Sequence, residues 1–425
     1  MTTLQKKIAT AIASAALLVN SALPVFATTI EISGNGSDSD SEVDVEMGQT
    51  TTVVQSNEAD VTNVVSTKAD TGGNKAKDNT NSDVEIETGN ATVDVNVENT
   101  LNSNSADIDC CPSGDVDVLV SGNGSDSDNN VWLDLNTETD VFQTNEADVK
   151  NLVWADAKTG DNEAEDNTGG SVSIKTGIAD VTVDLATTAN ANSATIGGGS
   201  PSGSLSARIL GNGSDSENEI DLELASAVLL EQANEADILN KVDVDAETGD
   251  NEADDNTGGE TDIETGNATV DVSVDNMVNF NWADVECGCL LDDILAKISG
   301  NGTDSENEIE LELGAETLAF QLNCADEPYE ANDKESEGRR GGDCELENFV
   351  DLEAESGDNE AEDNTGGVEG DDPSIDTGNA EANADIQNSG NVNMLGEAEL
   401  PELDFEVDFG FNWALFWAWV SGMSS

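Results

Sequence analysis

The chain has 425 residues, with 91 Asp and Glu against 14 Lys and Arg, no His and a formal charge of −77. Such a surface repels nucleic acid and anionic membranes, so neither is an expected partner. Without His the usual general base and the commonest transition-metal ligand are missing, and no nucleophile motif or phosphate loop appears in the sequence.

At the start, Lys6 and Lys7 precede an Ala/Leu/Ile/Val-rich run that ends in Val25-Phe26-Ala27, the small-residue spacing that a signal peptidase needs. Asn20 and Pro24 interrupt a run already shorter than the ~20 apolar residues of a membrane span. Residues 1–27 therefore read as a removed secretory signal, leaving no transmembrane span and an extracellular or cell-surface location. The remainder carries 12 basic and 91 acidic residues, a charge of −79.

From residue 28 onward the sequence repeats. GNGSDSD begins at Gly34 and Gly122, GNGSDSE at Gly211 and GNGTDSE at Gly300, at spacings of 88, 89 and 89 residues. A QxN marker recurs at Gln55, Gln143, Gln232 and Gln321. TGGNKAKDN at Thr71 returns as TGDNEAEDN at Thr159, TGDNEADDN at Thr248 and SGDNEAEDN at Ser356; TGNA stands at Thr88, Thr265 and Thr377, with TGIA at Thr176. These markers divide the chain into units at 28–117, 118–206, 207–295 and 296–396, the last with an insertion near 325–343, followed by a tail at 397–425.

Between the markers apolar residues alternate with polar ones, as at Val84 and Ile86, at Val93, Val95 and Val97, at Ile220, Leu222 and Leu224, and at Val242, Val244 and Ala246. Period two with β-branched residues predicts strands with one buried face. Gly, Asn and β-branched residues recur too often for three helical turns. The expected fold is all-β: a β-solenoid, β-helix-like, built from four repeats of ~88 residues.

The markers also resemble one another, which divides each unit into five sub-repeats of roughly 17 or 18 residues, the length of a small coil. On this reading strands are three to five residues long, Gly and Asn form the corners, and about twenty coils make a body on the order of 90–100 Å long. Asn57, Asn145, Asn234 and Asn323 form one family whose buried amides could stack into a ladder; Asn79, Asn167, Asn256 and Asn364 form another. The alternative is that Asn supplies only turns.

The QxNEADxxN and GxNxAxxN segments resemble the Gln/Asn/Ala-marked repeats of curlins, the subunits of bacterial curli fibres. That resemblance implies stacked strand-turn-strand repeats and a structural, fibre-forming role. The GNGSDSD series resembles part of the calcium-binding nonapeptide of RTX proteins, although an acidic residue replaces the apolar one that should follow. This second likeness implies Ca²⁺ at Asp38 with Asp40, Asp126 with Asp128, Asp215 with Glu217 and Asp304 with Glu306. A charged, solvated turn explains the same residues without an ion.

Six cysteines in an exported chain predict disulfides. Cys324 and Cys344 flank the insertion and are expected to pair. Cys110 and Cys111, like Cys287 and Cys289, lie at unit junctions; about ten small coils would separate the two pairs, which leaves local or interchain bridges open and excludes a shared zinc site. The insertion also holds the only Tyr and the Arg339-Arg340 pair, a candidate for a specific contact. The tail segment from Phe405 to Val420 carries seven of the sixteen aromatics and reads as a cap, a subunit interface or a membrane-surface anchor.

These features predict a secreted or surface structural repeat protein, as a fibre, surface-layer or adhesin-stalk scaffold, self-associating through its ends and tail. A module that binds cations or a basic protein comes second. A polysaccharide-acting β-helical enzyme comes third, because abundant carboxylates single out no catalytic pair. The chain is expected not to be an enzyme.

Overall fold

An apolar residue at every second position buries one face of a strand only where another strand lies alongside. In the computed structural model of this chain, that neighbour is the same segment of the next repeat. Residues 28–108, 115–197, 204–286, 293–324, 344–366 and 373–396 are described.

The first rung runs through β1 (Thr28–Ser33), β2 (Asp40–Asp70), β3 (Lys75–Lys77), β4 (Val84–Glu87) and β5 (Ala91–Ile108). The second repeats it as β6 (Val116–Ser121), β7 (Asp128–Lys158), β8 (Glu163–Glu165), β9 (Val172–Lys175) and β10 (Ala179–Gly197). The third comprises β11 (Ser204–Leu210), β12 (Glu217–Glu247), β13 (Glu252–Asp254), β14 (Thr261–Glu264) and β15 (Ala268–Glu286). The fourth comprises β16 (Asp293–Ser299), β17 (Glu306–Asn323), β18 (Leu346–Glu355), β19 (Ser374–Asp376) and β20 (Ala380–Leu395). No helix occurs among the described residues.

Every sheet runs along the stack. β1, β6, β11 and β16 form one, β5, β10, β15 and β20 a second, and β2, β7, β12 and β17 a third in which β18 extends the fourth rung. All pairings are parallel and in register, with Val43 beside Val131, Val131 beside Ile220, and Ile220 beside Ile309. The chain is thus a β-solenoid, as expected, but one turn of it consumes a whole unit of about 88 residues.

That overturns the small-coil reading. There are four rungs, not about twenty, and at ~4.8 Å per rung the first and last strands are about 14 Å apart along the stack. The long dimension lies across the stack: 31-residue strands such as β7 extend for about 100 Å at ~3.3 Å per residue. Strands of three to five residues occur only in the end sheets built on β3 and β4. Ten coils therefore do not separate the segment holding Cys110 and Cys111 from the one holding Cys287 and Cys289. These cysteines lie outside the described residues, but the strands flanking them, β5 and β6 against β15 and β16, are two rungs apart.

Each rung is a flattened loop. The long strand forms one wall, and the strand after the far corner returns along it, followed by the first strand of the next rung. Val43 and Val45 of β2 pack with Val116, Val118 and Val120 of β6 at one end of the core. Toward the far end, Val153 and Ala155 of β7 pack with Val181 and Val183 of β10. Between these blocks inward amides alternate with two smaller apolar clusters, one around Val141 and Ile196 and one around Val149 and Ala189.

Candidate functional site

The interior amides come from positions that sequence reasoning had assigned to corners. Asn57 and Asn145 lie inside the long strands β2 and β7, facing inward. Asn57 donates through Nδ2 to Asn145 Oδ1 at 3.0 Å, Asn145 to Asn234 at 3.0 Å, and Asn234 to Asn323 at 3.3 Å. The second expected family, at a true corner, also forms a ladder: Asn79 to Asn167 at 2.8 Å, Asn167 to Asn256 at 2.9 Å and Asn256 to Asn364 at 2.9 Å. Mid-strand Asn needs no turn when the identical residue of the next rung satisfies its amide.

Further ladders escaped the sequence reading although they share its spacing. Asn104, Asn192, Asn281 and Asn393 stack on the opposite wall, as do Asn63, Asn151, Asn240 and Asn348 on the long one. Gln232 donates to Gln143 and Gln143 to Gln55, the reverse direction from the Asn ladders. Asn102, Asn190, Asn279 and Asn391 sit in the left-handed region, with φ of 53°, 62°, 61° and 57°, in the middle of the return strands. At each, the paired strands skip the equivalent residue together, so the register is kept while Ala189 and Asn190 both turn inward.

The GNGSDSD corners lie directly over one another. Asp38, Asp126, Asp215 and Asp304 all have φ near the left-handed well, at 58°, 56°, 57° and 59°, so each shapes its corner by adopting a conformation that Asp tolerates better than most residues. Asp40, Asp128, Glu217 and Glu306 form one in-register row of carboxylates at the start of the long strands. An open groove beside that row is lined by Asp128, Glu217, Glu219, Glu306 and Glu308. Among the described residues, the one group of three carboxylates whose oxygens converge within 4.8 Å is instead Asp254, Asp255 and Asp363, at the TGDNEADDN corner. The calcium expectation had not singled out that corner.

Stacking like on like makes acidic rows all over the outer face, including Glu58, Glu146 and Glu235, and Asp60, Asp148 and Asp237. Glu247 is pushed up to about 7 by burial, even though Lys158 Nζ lies 2.8 Å from its carboxylate. Burial also raises Asp184, Asp245 and Asp275, each with a neighbouring carboxylate adding to the effect.

Basic residues interrupt these rows at Lys158 and Lys175 in the second rung and at Arg208 in the third, and most closely in the first. Lys75 bonds to Glu163, and Lys77 to both Glu163 and Glu165 of the rung above. Hydrogen bonds from Lys75 and Lys77 hold Glu163 down at about 2. Lys68 makes a similar contact to Asp156 at 2.9 Å.

Cys324 and Cys344 are joined by a disulfide, as the insertion predicts. Asn323 pairs with Asn234 and Leu346 with Ile238, so the insertion is spliced into the middle of a long strand. The bridge closes that break with 5.3 Å between the Cα atoms, and the parallel pairing resumes beyond it. The signal segment 1–27, most of the inserted loop including Arg339 and Arg340, and the aromatic tail 397–425 lie outside the described residues.

No protein-family model, curated protein or solved structure matches this chain.

Proposed function

We propose that this chain is a secreted or cell-surface scaffold, a structural element of a fibre, surface layer or adhesin stalk, and not an enzyme. The observation that carries the reading is the use made of the interior. Asn side chains in it form repeating amide ladders, with Asn145, Asn192 and Asn234 bonded both along the stack and across it. Such a network resists deformation. The acidic exterior keeps a wide, flat body soluble and separates it from other anionic polymers.

The test is to locate the protein in its producing cells by immunogold electron microscopy and to incubate the purified chain with a glycan panel. Labelling of extracellular or surface material without cleavage supports the scaffold. Retention in the cytoplasm, or turnover of a glycan, overturns it.

A second reading, cation binding, is favoured by one specific observation: the register sets the corner carboxylates of four rungs in rows. Ca²⁺ held there would offset repulsion that the fold itself creates.

A further inference from the structure

The first rung departs from the others at one corner. Where the second, third and fourth rungs carry Glu163 and Glu165, Glu252 and Asp254, and Glu360 and Glu362, the first carries Lys75 and Lys77. The pairing of Lys75 with Glu163, Glu163 with Glu252 and Glu252 with Glu360 puts these residues in one column. A second column runs from Lys68 through Asp156 and Asp245 to Glu353. In these three columns, those of Lys68, Lys75 and Lys77, the first edge of the stack is basic and the last acidic, whereas columns such as Asp40 to Glu306 and Asp70 to Glu355 end in acids on both edges. At the acidic edge Glu360 is raised by its hydrogen bond and charge repulsion with Glu362.

The last edge is also apolar. Ile309, Leu311 and Leu313 are 46%, 47% and 50% exposed, whereas their partners one rung down, Ile220, Leu222 and Leu224, are buried to 2% or less. Ile375 and Ile386 repeat the contrast with Ile263 and Val274. What covers the lower set is the next rung.

The Asn ladders supply polarity. In each, the amide nitrogen of the lower rung donates to the oxygen of the upper one, as from Asn57 to Asn145 and from Asn234 to Asn323. A last edge thus meets a first edge donor to acceptor, while two like edges set like groups against each other.

We infer that copies of this chain stack end to end, the first rung of one on the last rung of the next, in the register that joins rungs within a chain. Lys75 and Lys77 then lie over Glu360 and Glu362, and Lys68 over Glu353, repeating the lysine-carboxylate pairing of the first two rungs with the acid on the lower rung and the lysine on the upper. The contact is heterologous and does not close on itself, so it propagates into a filament whose axis is the stack axis. This inference rests on the scaffold reading and names its partner as a second copy.

The informative variant is Glu353→Lys/Glu360→Lys/Glu362→Lys in the full chain. New lysines there oppose Glu252 and Asp254 of the rung below, so the monomer keeps its fold, but they meet Lys68, Lys75 and Lys77 of an added copy. Sedimentation velocity across protein concentration should show growing linear species for the natural chain and, for the variant, at least about a tenfold higher concentration for half-association. Thermal melting of both checks the fold. Equal association of the two proteins overturns the interface. So does a natural chain that stays monomeric until residues 397–425 are deleted, since its own tail would then occupy the last edge. Immunogold location is scored separately: a surface-exposed monomer overturns this inference and leaves the scaffold standing.

Discussion

Asn145 donates through Nδ2 to two oxygens at once, Asn234 Oδ1 one rung up at 3.0 Å and Asn192 Oδ1 across the core at 2.8 Å. It also accepts from Asn57 below and from Asn104 on the opposite wall. Replacing it with Ala leaves buried partners unsatisfied, at about 1–3 kcal/mol for each group that finds no substitute. Asn145→Ala should lower stability by at least about 2 kcal/mol in denaturant unfolding. A loss below half of that would mean the ladders are incidental to the fold.

Gly160 tests the corner packing. A Cβ there would run into the backbone carbonyl of Gly249 in the next rung, and Gly72 and Gly249 face the same obstacle from the rung above each. Gly160→Ala should cost about 1–3 kcal/mol through forced displacement of the rungs. Gly48 lies inside β2 with nothing within 4 Å of an added Cβ, so Gly48→Ala should be neutral or slightly stabilising. Equal effects of the two changes in thermal melts would contradict the close rung-to-rung approach.

Acid should stabilise this protein over part of the range where it weakens most others. A carboxyl whose folded pKa is raised contributes stability that is present in full below its unfolded value and lost as pH rises through the folded one. Glu247, pushed from 4.5 to about 7, behaves this way, and Asp184, Asp245, Asp275, Glu355 and Glu360 are shifted in the same direction. Glu163 opposes them: held at about 2, its contribution is present above 4.5 and lost as pH falls toward 2. Melting temperature should therefore rise from pH 8 to about 5 and fall below about 4. A steady decline from pH 7 downward would show that the carboxylate rows carry no net repulsion.

Reducing the Cys324–Cys344 bridge frees a loop closed over a sequence separation of 20 residues. The chain-entropy argument puts that constraint at about 3 kcal/mol. The loss should be confined to the fourth rung, because only β17 and β18 are joined by it. Hydrogen exchange of Cys324→Ser/Cys344→Ser should show faster opening in β17 and β18 with β7 unchanged. Uniform loss of protection would place the bridge in the folding of the whole stack.

Cation binding at the corner rows predicts an ion preference beyond screening. Ca²⁺ should raise the melting temperature more than Mg²⁺ or NaCl of matched ionic strength, since Mg²⁺ dehydrates reluctantly and needs a tighter octahedron. Asp126→Asn/Asp128→Asn should remove the difference. If calcium and magnesium act equally, the corners are charged turns only.

Much of this was legible in the residues themselves. The 88- and 89-residue spacing, the alternation at Ile220, Leu222 and Leu224, and the equivalent positions of Asn57, Asn145, Asn234 and Asn323 are properties of the linear sequence, and each has a direct local cause in strand geometry or amide chemistry. The insertion between Cys324 and Cys344 was equally plain, since an extra segment in one repeat needs a closed neck if the pairing on either side is to survive.

The tertiary structure decided how much chain makes one turn. Asn57 in QSNEAD and Asn35 in GNGSDSD look alike to propensity, yet one lies mid-strand and the other at a corner. The difference comes from what stands beside each residue. The inward-facing Asn57 is tolerable in a strand because Asn145 above it and Asn104 across the core accept from its amide, and both partners are distant in sequence. The meaning of Lys75 and Lys77 was hidden for the same reason: only the rung register reveals that they face Glu163 and Glu165 on one side and an open edge on the other.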